Sequence, residues 1–139
     1  MLNEADTRIK FIDPKLKFSG WTEENILREF QITAGKVNIF GERVEREDKK
    51  IADYILFYNG AFPIAVVEAK DENRTSLDGM QQAKEYAEKL ELRFAYSING
   101  HDIEEFDFTT STQQSVKNFP TPEELFSRLG VFNKTLAKK

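Results

Sequence analysis

The chain contains no cysteine and one histidine, His101. The first absence excludes a disulfide framework and any thiolate metal site. The second leaves oxygen atoms as the donors for a metal, which suits Mg²⁺ or Mn²⁺ better than zinc. No apolar run approaches the roughly 20 residues that span a bilayer. The amino terminus lacks the pattern of a secretory signal. No membrane role is therefore expected, and the cytoplasm is the default compartment. The sequence has no G-x-x-x-x-G-K-[S/T] phosphate loop, so this chain is not expected to bind or hydrolyse ATP. It has no internal repeats or low-complexity tracts. It also lacks a basic balance: 24 acidic residues stand against 20 basic ones, for a net charge of −4. A domain holding DNA unaided would be basic, so tight DNA binding by this chain alone is not expected.

What is present is enough for one folded domain. Of 139 residues, 40% are hydrophobic and 12% aromatic, 12 of them Phe, which points to a packed core rather than disorder. The expected domain is 1–130, with 131–139 as a tail or truncated linker. Asn3 can cap a helix to about Phe11, and Asp13-Pro14 can restart one. Thr22 is expected to cap a helix over 23–30, with Ile26, Leu27 and Phe30 on its apolar face. Val37 to Phe40 is a plausible short strand. Two stronger strands, 51–58 and 64–70, flank Asn59-Gly60, a favourable hairpin turn. Apolar residues at helical spacing predict a helix from Leu77 to Leu90. Strands are expected over 94–98 and 102–108, around an Asn99-Gly100 turn. Pro120-Thr121-Pro122 opens a last helix to about Leu129. This is an α/β pattern, a mixed sheet with helices against it.

Charges inside the two strong strands draw attention, because a charge in an apolar strand costs free energy unless paired or metal-bound. They are Asp53 and, fifteen residues on, Glu68-Ala69-Lys70. With Asn59 and Gly60 as a two-residue turn, Asp53 faces Val66. Glu68 and Lys70 then share its face through the period-two alternation of strand side chains. Asp53 and Glu68 become diagonal neighbours, about 7–8 Å apart at Cα. Pro63 cannot donate a ladder bond, so an irregularity is expected near it, and a slip of one residue would break the shared face. Two such carboxylates can clamp a cation that activates water for phosphodiester hydrolysis. Lys70 can orient or deprotonate that water, or stabilise developing charge. The Ala69 carbonyl is a further candidate ligand. By itself Asp…Glu-x-Lys is a short pattern that recurs by accident. The acidic Glu104, Glu105 and Asp107 are expected to be exposed strand charge, and Arg43, Arg46, Lys49 and Lys50 a solvated basic stretch.

An ordered set of segments resembles the amino-terminal endonuclease domain of the R (restriction, HsdR-type) subunit of type I restriction enzymes, in the PD-(D/E)XK nuclease superfamily. The segments are Asn3 to Arg8, Ile12-Asp13-Pro14 through Trp21, Ala52-Asp53, Glu68-Ala69-Lys70, Gln82-x-x-x-Tyr86, Ser97 to Gly100 with Glu105 to Asp107, and Phe119 to Leu125. Together they cover about residues 3–130. The resemblance implies a restriction-endonuclease-like mixed sheet flanked by helices. It implies Asp53, Glu68 and Lys70 as catalytic residues, with Mg²⁺ or Mn²⁺ on Asp53, Glu68, Ala69 and Glu4. It gives Gln82, Tyr86 and, less directly, Arg8 to DNA positioning or site support. The partners it implies are double-stranded DNA and, through the full-length subunit, the M and S subunits; ATP belongs to that subunit's motor. Ala52 stands where the superfamily name has Pro. Other readings are a stand-alone repair-type nuclease, a non-catalytic assembly module of the same fold, or a small α/β binding domain. The last predicts that Asp53, Glu68 and Lys70 do not converge.

Overall fold

The computed structural model describes residues 4–32, 50–71 and 74–137, with backbone alone at residue 4 and at 131–137. Its sheet has six strands in sequence order: β1 (Ile26–Ile32), β2 (Lys50–Tyr58), β3 (Phe62–Ala69), β4 (Phe94–Ile98), β5 (Ile103–Asp107) and β6 (Thr112–Val116). Every neighbouring pair is antiparallel except β3 and β4, which are parallel. A parallel step needs a crossover, and helix α3 (Met80–Leu90) supplies it.

Alternation along each strand sends side chains to two cores. On one face Tyr54, Val67, Phe94 and Tyr96 pack with Ile12, Leu16, Trp21 and Leu125. Ile12 immediately precedes α2 (Asp13–Phe18), Leu16 lies in it, Trp21 in the turn after it and Leu125 in α4 (Pro122–Ala137). The indole of Trp21 is fully buried and its N–H donates to the Pro120 carbonyl at 2.9 Å. On the other face Ile55, Val66 and Ala95 pack against Met80, Ala83, Tyr86 and Ala87 of α3.

Several sequence expectations need correction. Residues 23–30 do not form a helix. Only Glu23–Asn25 make a 3₁₀ turn, and Ile26 opens β1. An Ile, Leu, Phe spacing fits either period in so short a run, and pairing with β2 decides it. Helix α3 begins at Met80 rather than Leu77, and the side chain of Leu77 stays exposed. Strand β6 was not expected: its Thr-Gln-Gln-Ser-Val sequence has no apolar alternation, because it is an edge strand fastened by polar pairs. Helix α4 continues to Ala137, past the end expected at Leu129. Glu104, Glu105 and Asp107 are buried, not exposed. Glu105 accepts bonds from Tyr96, Gln114 and Arg128, and Arg128 also reaches Asp107 and Glu124. The expected strand at 37–40 and the basic residues Arg43, Arg46 and Lys49 lie outside the described residues.

The β2–β3 hairpin positions the site, and it differs from the simple turn. Tyr58 pairs with Phe62, so the loop holds three residues, with Asn59 and Gly60 both at positive φ (56° and 73°). That shifts the register by one. A bulge then sets two residues of β3, beside Pro63, against one step from Leu56 to Phe57. The missing N–H of Pro63 accounts for a break in the ladder there. The bulge shifts the register by one more. Two single shifts restore the parity that either alone would destroy. Asp53 therefore does not face Val66, which pairs with Ile55. One step past the Tyr54–Val67 pair, Asp53 comes opposite Glu68 itself.

Candidate active site

Asp53 lies within β2 and Glu68 near the end of β3, both buried, and they are laced together through backbone. The Asp53 N–H donates to Glu68 Oε2 at 3.0 Å, and the Ala69 N–H donates to Asp53 Oδ2 at 2.7 Å. Each carboxylate thus satisfies an amide of the opposite strand. Direct opposition, rather than the diagonal relation expected, puts the pair closer than a diagonal would. Burial pushes the Asp53 carboxyl above its ordinary value, Glu29 adds to that push, and the Ala69 N–H, Arg8 and Lys70 oppose it. Lys70 follows β3, its N–H bonded to the Ile98 carbonyl at 2.9 Å. Its charge registers on Asp53. Asp53, Glu68 and Lys70 converge, contrary to the reading as an unrelated binding domain.

Three other elements close around them. The chain runs from α1 (Glu4–Thr7) into α2 through a π-helical turn, in which the Asp13 N–H reaches back to the Arg8 carbonyl. Such wide turns recur at functional sites. Here the turn begins at Arg8, whose guanidinium meets Asp53 Oδ1 at 3.4 Å and Glu29 Oε2 at 3.1 Å. Arg8, expected near a phosphate, is engaged with carboxylates. Glu4 lies on α1, one turn before Arg8, and the expectation for its carboxylate falls outside the described residues. From α3, the Gln82 side-chain amide donates to the Tyr86 hydroxyl at 2.7 Å. Burial raises the Tyr86 hydroxyl pKa, and the charges of Glu68 and Asp53 raise it further. The Gln82/Tyr86 pair therefore faces the acidic pair across the sheet–helix layer.

Three contributors were missed in the sequence. Glu29 stands at φ 52°, a left-handed value that non-glycine residues rarely adopt. Ser97 pairs with Glu68 across β3 and β4. Gly79 lets the start of α3 approach closely, since a Cβ there would stand 2.8 Å from Ser97 Oγ and 3.0 Å from Lys70 Cε. A sequence signal existed only for Gly79, as a glycine just before a helix. Among the described residues no group of three or more His, Asp or Glu side chains gathers as a ready metal cage. The donor set is two opposed carboxylates in a desolvated setting. Hard oxygen donors of that kind fit Mg²⁺ or Mn²⁺.

Fold and site together define a class: a restriction-endonuclease-like α/β domain with an acidic pair on adjacent strands and a lysine just after the second. Comparison with known proteins agrees. Residues 32–122 match the family model described as the second domain of the type I restriction enzyme EcoKI endonuclease subunit. The chain is 33% identical over 134 residues to the type I restriction enzyme EcoAI endonuclease subunit of Escherichia coli, covering 91% of this chain and 16% of that protein. A solved structure, described as a fragment of an HsdR subunit of a type I restriction enzyme from Vibrio vulnificus YJ016, superposes with a TM-score of 0.83. It is 54% identical and is matched over 94% of this chain and 26% of that one. The chain belongs to the family of type I restriction enzyme endonuclease (R) subunits, of which it spans a minor part. Among the described residues, no helix is long and apolar enough to cross a membrane.

Proposed function

We propose that this chain is the DNA-cutting module of a type I restriction R subunit, hydrolysing phosphodiester bonds of double-stranded DNA with Mg²⁺ or Mn²⁺ in the cytoplasm. The observation that carries the proposal is the opposed, mutually laced pair Asp53 and Glu68 with the charge of Lys70 beside it. Asp53, Glu68 and the Ala69 carbonyl would hold the cation, with Glu4 as a further ligand. Bound there, the cation would lower the pKa of a coordinated water and neutralise charge on the phosphoryl oxygens. Lys70 would orient the attacking water and stabilise the charge that develops on phosphate. Gln82 and Tyr86 would fix the helix face against which the backbone of the DNA lies. Arg8 would hold Asp53 in place and keep it ionised.

The net charge of −4 fits a division of labour. DNA affinity and site recognition would come from the M and S subunits, and ATP-driven movement from the rest of R. This chain alone should cut plasmid weakly or not at all. Fusing it to an unrelated sequence-specific DNA-binding domain supplies the missing affinity. The fusion should then cut near the bound sequence when Mg²⁺ is present, and Asp53→Ala should abolish cutting. No cutting by the tethered chain would contradict the proposal. Brisk, untethered cutting would favour a stand-alone repair-type nuclease.

A further inference from the structure

We propose that Ser97 is a positioning residue for Lys70: its hydroxyl accepts a hydrogen bond from the Lys70 ammonium and so fixes where that charge stands beside Glu68. The proposal deepens the site reading above and rests on it. Ser97 occupies the middle of β4, paired with Glu68 on one side and Glu104 on the other. Paired residues share a sheet face, so its side chain points where Glu68 points. It is fully buried, yet its hydroxyl has no hydrogen-bond partner among the described residues. The neighbouring Glu104 carboxylate, by contrast, is held by Ser115 and Gln113. A buried hydroxyl without a partner costs stability that alanine at the same place would not. Packing therefore gives no account of it.

Gly79 locates the hydroxyl. A Cβ at that residue would stand 2.8 Å from Ser97 Oγ, 3.0 Å from Lys70 Cε and 3.5 Å from Glu68 Cβ. The three side chains thus border one small clearance under the start of α3. The Lys70 nitrogen is one bond beyond Cε, and a turn about its last torsions carries the ammonium toward Oγ. A bond from a charged donor is the strong kind, and it would fix a side chain that otherwise has four free torsions.

The test is the ¹⁵N signal of lysine ammonium groups in this chain, with Lys70→Arg used to assign the Lys70 signal. Hydrogen exchange of that ammonium should be slow in the unsubstituted protein. Ser97→Ala should speed it by about tenfold or more, and Ser97→Thr, which keeps the hydroxyl, should restore it. Ser97→Ala should bind Mn²⁺ with unchanged affinity. Unchanged exchange in Ser97→Ala overturns the proposal, as does fast exchange in a folded Ser97→Thr. If Ser97→Thr does not fold, Ser97→Ala alone decides. The NMR readout needs neither turnover nor a bound cation. Failure of the site reading would show separately, as an Mn²⁺ titration insensitive to Asp53→Asn.

Discussion

Glu68 carries two loads that substitution can separate. One is structural: its Oε2 accepts the Asp53 N–H at 3.0 Å inside the β2–β3 ladder, at a residue only 3% exposed. The other is its proposed place on the cation. Glu68→Ala leaves a buried amide without an acceptor, a cost of about 1–3 kcal/mol. It also removes one buried methylene, worth ~0.8 kcal/mol. Relief from burying a carboxylate offsets part of this. The net loss should be about 2 kcal/mol, or a fall in melting temperature of about 8 °C for a domain of this size. Glu68→Gln keeps an oxygen acceptor of the same length and should melt within about 2 °C of the parent. Both variants should lose Mn²⁺ affinity by more than about tenfold. Thermal melts by circular dichroism and calorimetric Mn²⁺ titration read the two loads independently. If Glu68→Ala is as stable as Glu68→Gln, the backbone bond is not what holds the hairpin here. If Glu68→Gln binds Mn²⁺ as before, Glu68 is not a ligand.

Asp53 has its ordinary pKa, near 3.8, raised by burial. Between that value and the raised one, the folded chain keeps a proton that the unfolded chain gives up. Asp53 thus lowers stability as pH rises through that window. Urea midpoints across acidic pH should show a shallower stability loss in Asp53→Asn than in the parent, and parallel curves would refute the shift. Arg8→Ala removes a charge that holds the Asp53 carboxyl down, so its ¹³C titration should move further up; an unmoved curve would show that the pair is not formed in solution. Arg128 reaches buried Glu105 and Asp107 at 3.2 Å and 3.1 Å, so Arg128→Ala should cost about 3 kcal/mol in chemical denaturation. A loss under about 1 kcal/mol would place those carboxylates in contact with water. Gly79→Ala should destabilise by about 1–3 kcal/mol through overpacking against Ser97 and Lys70, where glycine-to-alanine changes at unstrained positions stabilise; a stabilised variant would refute the close approach.

The site was more legible in the sequence than the frame that holds it. Charges inside strand-like runs are costly, so Asp53 and Glu68 stood out without coordinates. Their shared face survived for a reason no turn rule supplies. A longer loop and a bulge beside Pro63 each shift the register by one, and the shifts add to an even number. Local pattern failed where tertiary pairing decides. Ile26 to Ile32 carries apolar residues that fit helix or strand, and β2 selects strand. Thr112 to Val116 has no strand signal, because Glu104 and Glu105 on β5 supply its polar partners. For the same reason Glu104, Glu105 and Asp107 could not be read as buried: apart from Thr109, which bonds Asp107 locally, their donors lie 9 to 23 residues away in sequence. Ser97 and Gly79 matter through distances that sequence does not carry.

The most direct test of the account is a crystal of this chain soaked with Mn²⁺ and measured at the manganese absorption edge. The account predicts an anomalous peak about 2.0–2.6 Å from oxygens of both Asp53 and Glu68, lost in Asp53→Asn. An ordered site with the two carboxylates in place and no peak between them, at Mn²⁺ concentrations that saturate the solution titration, would contradict it.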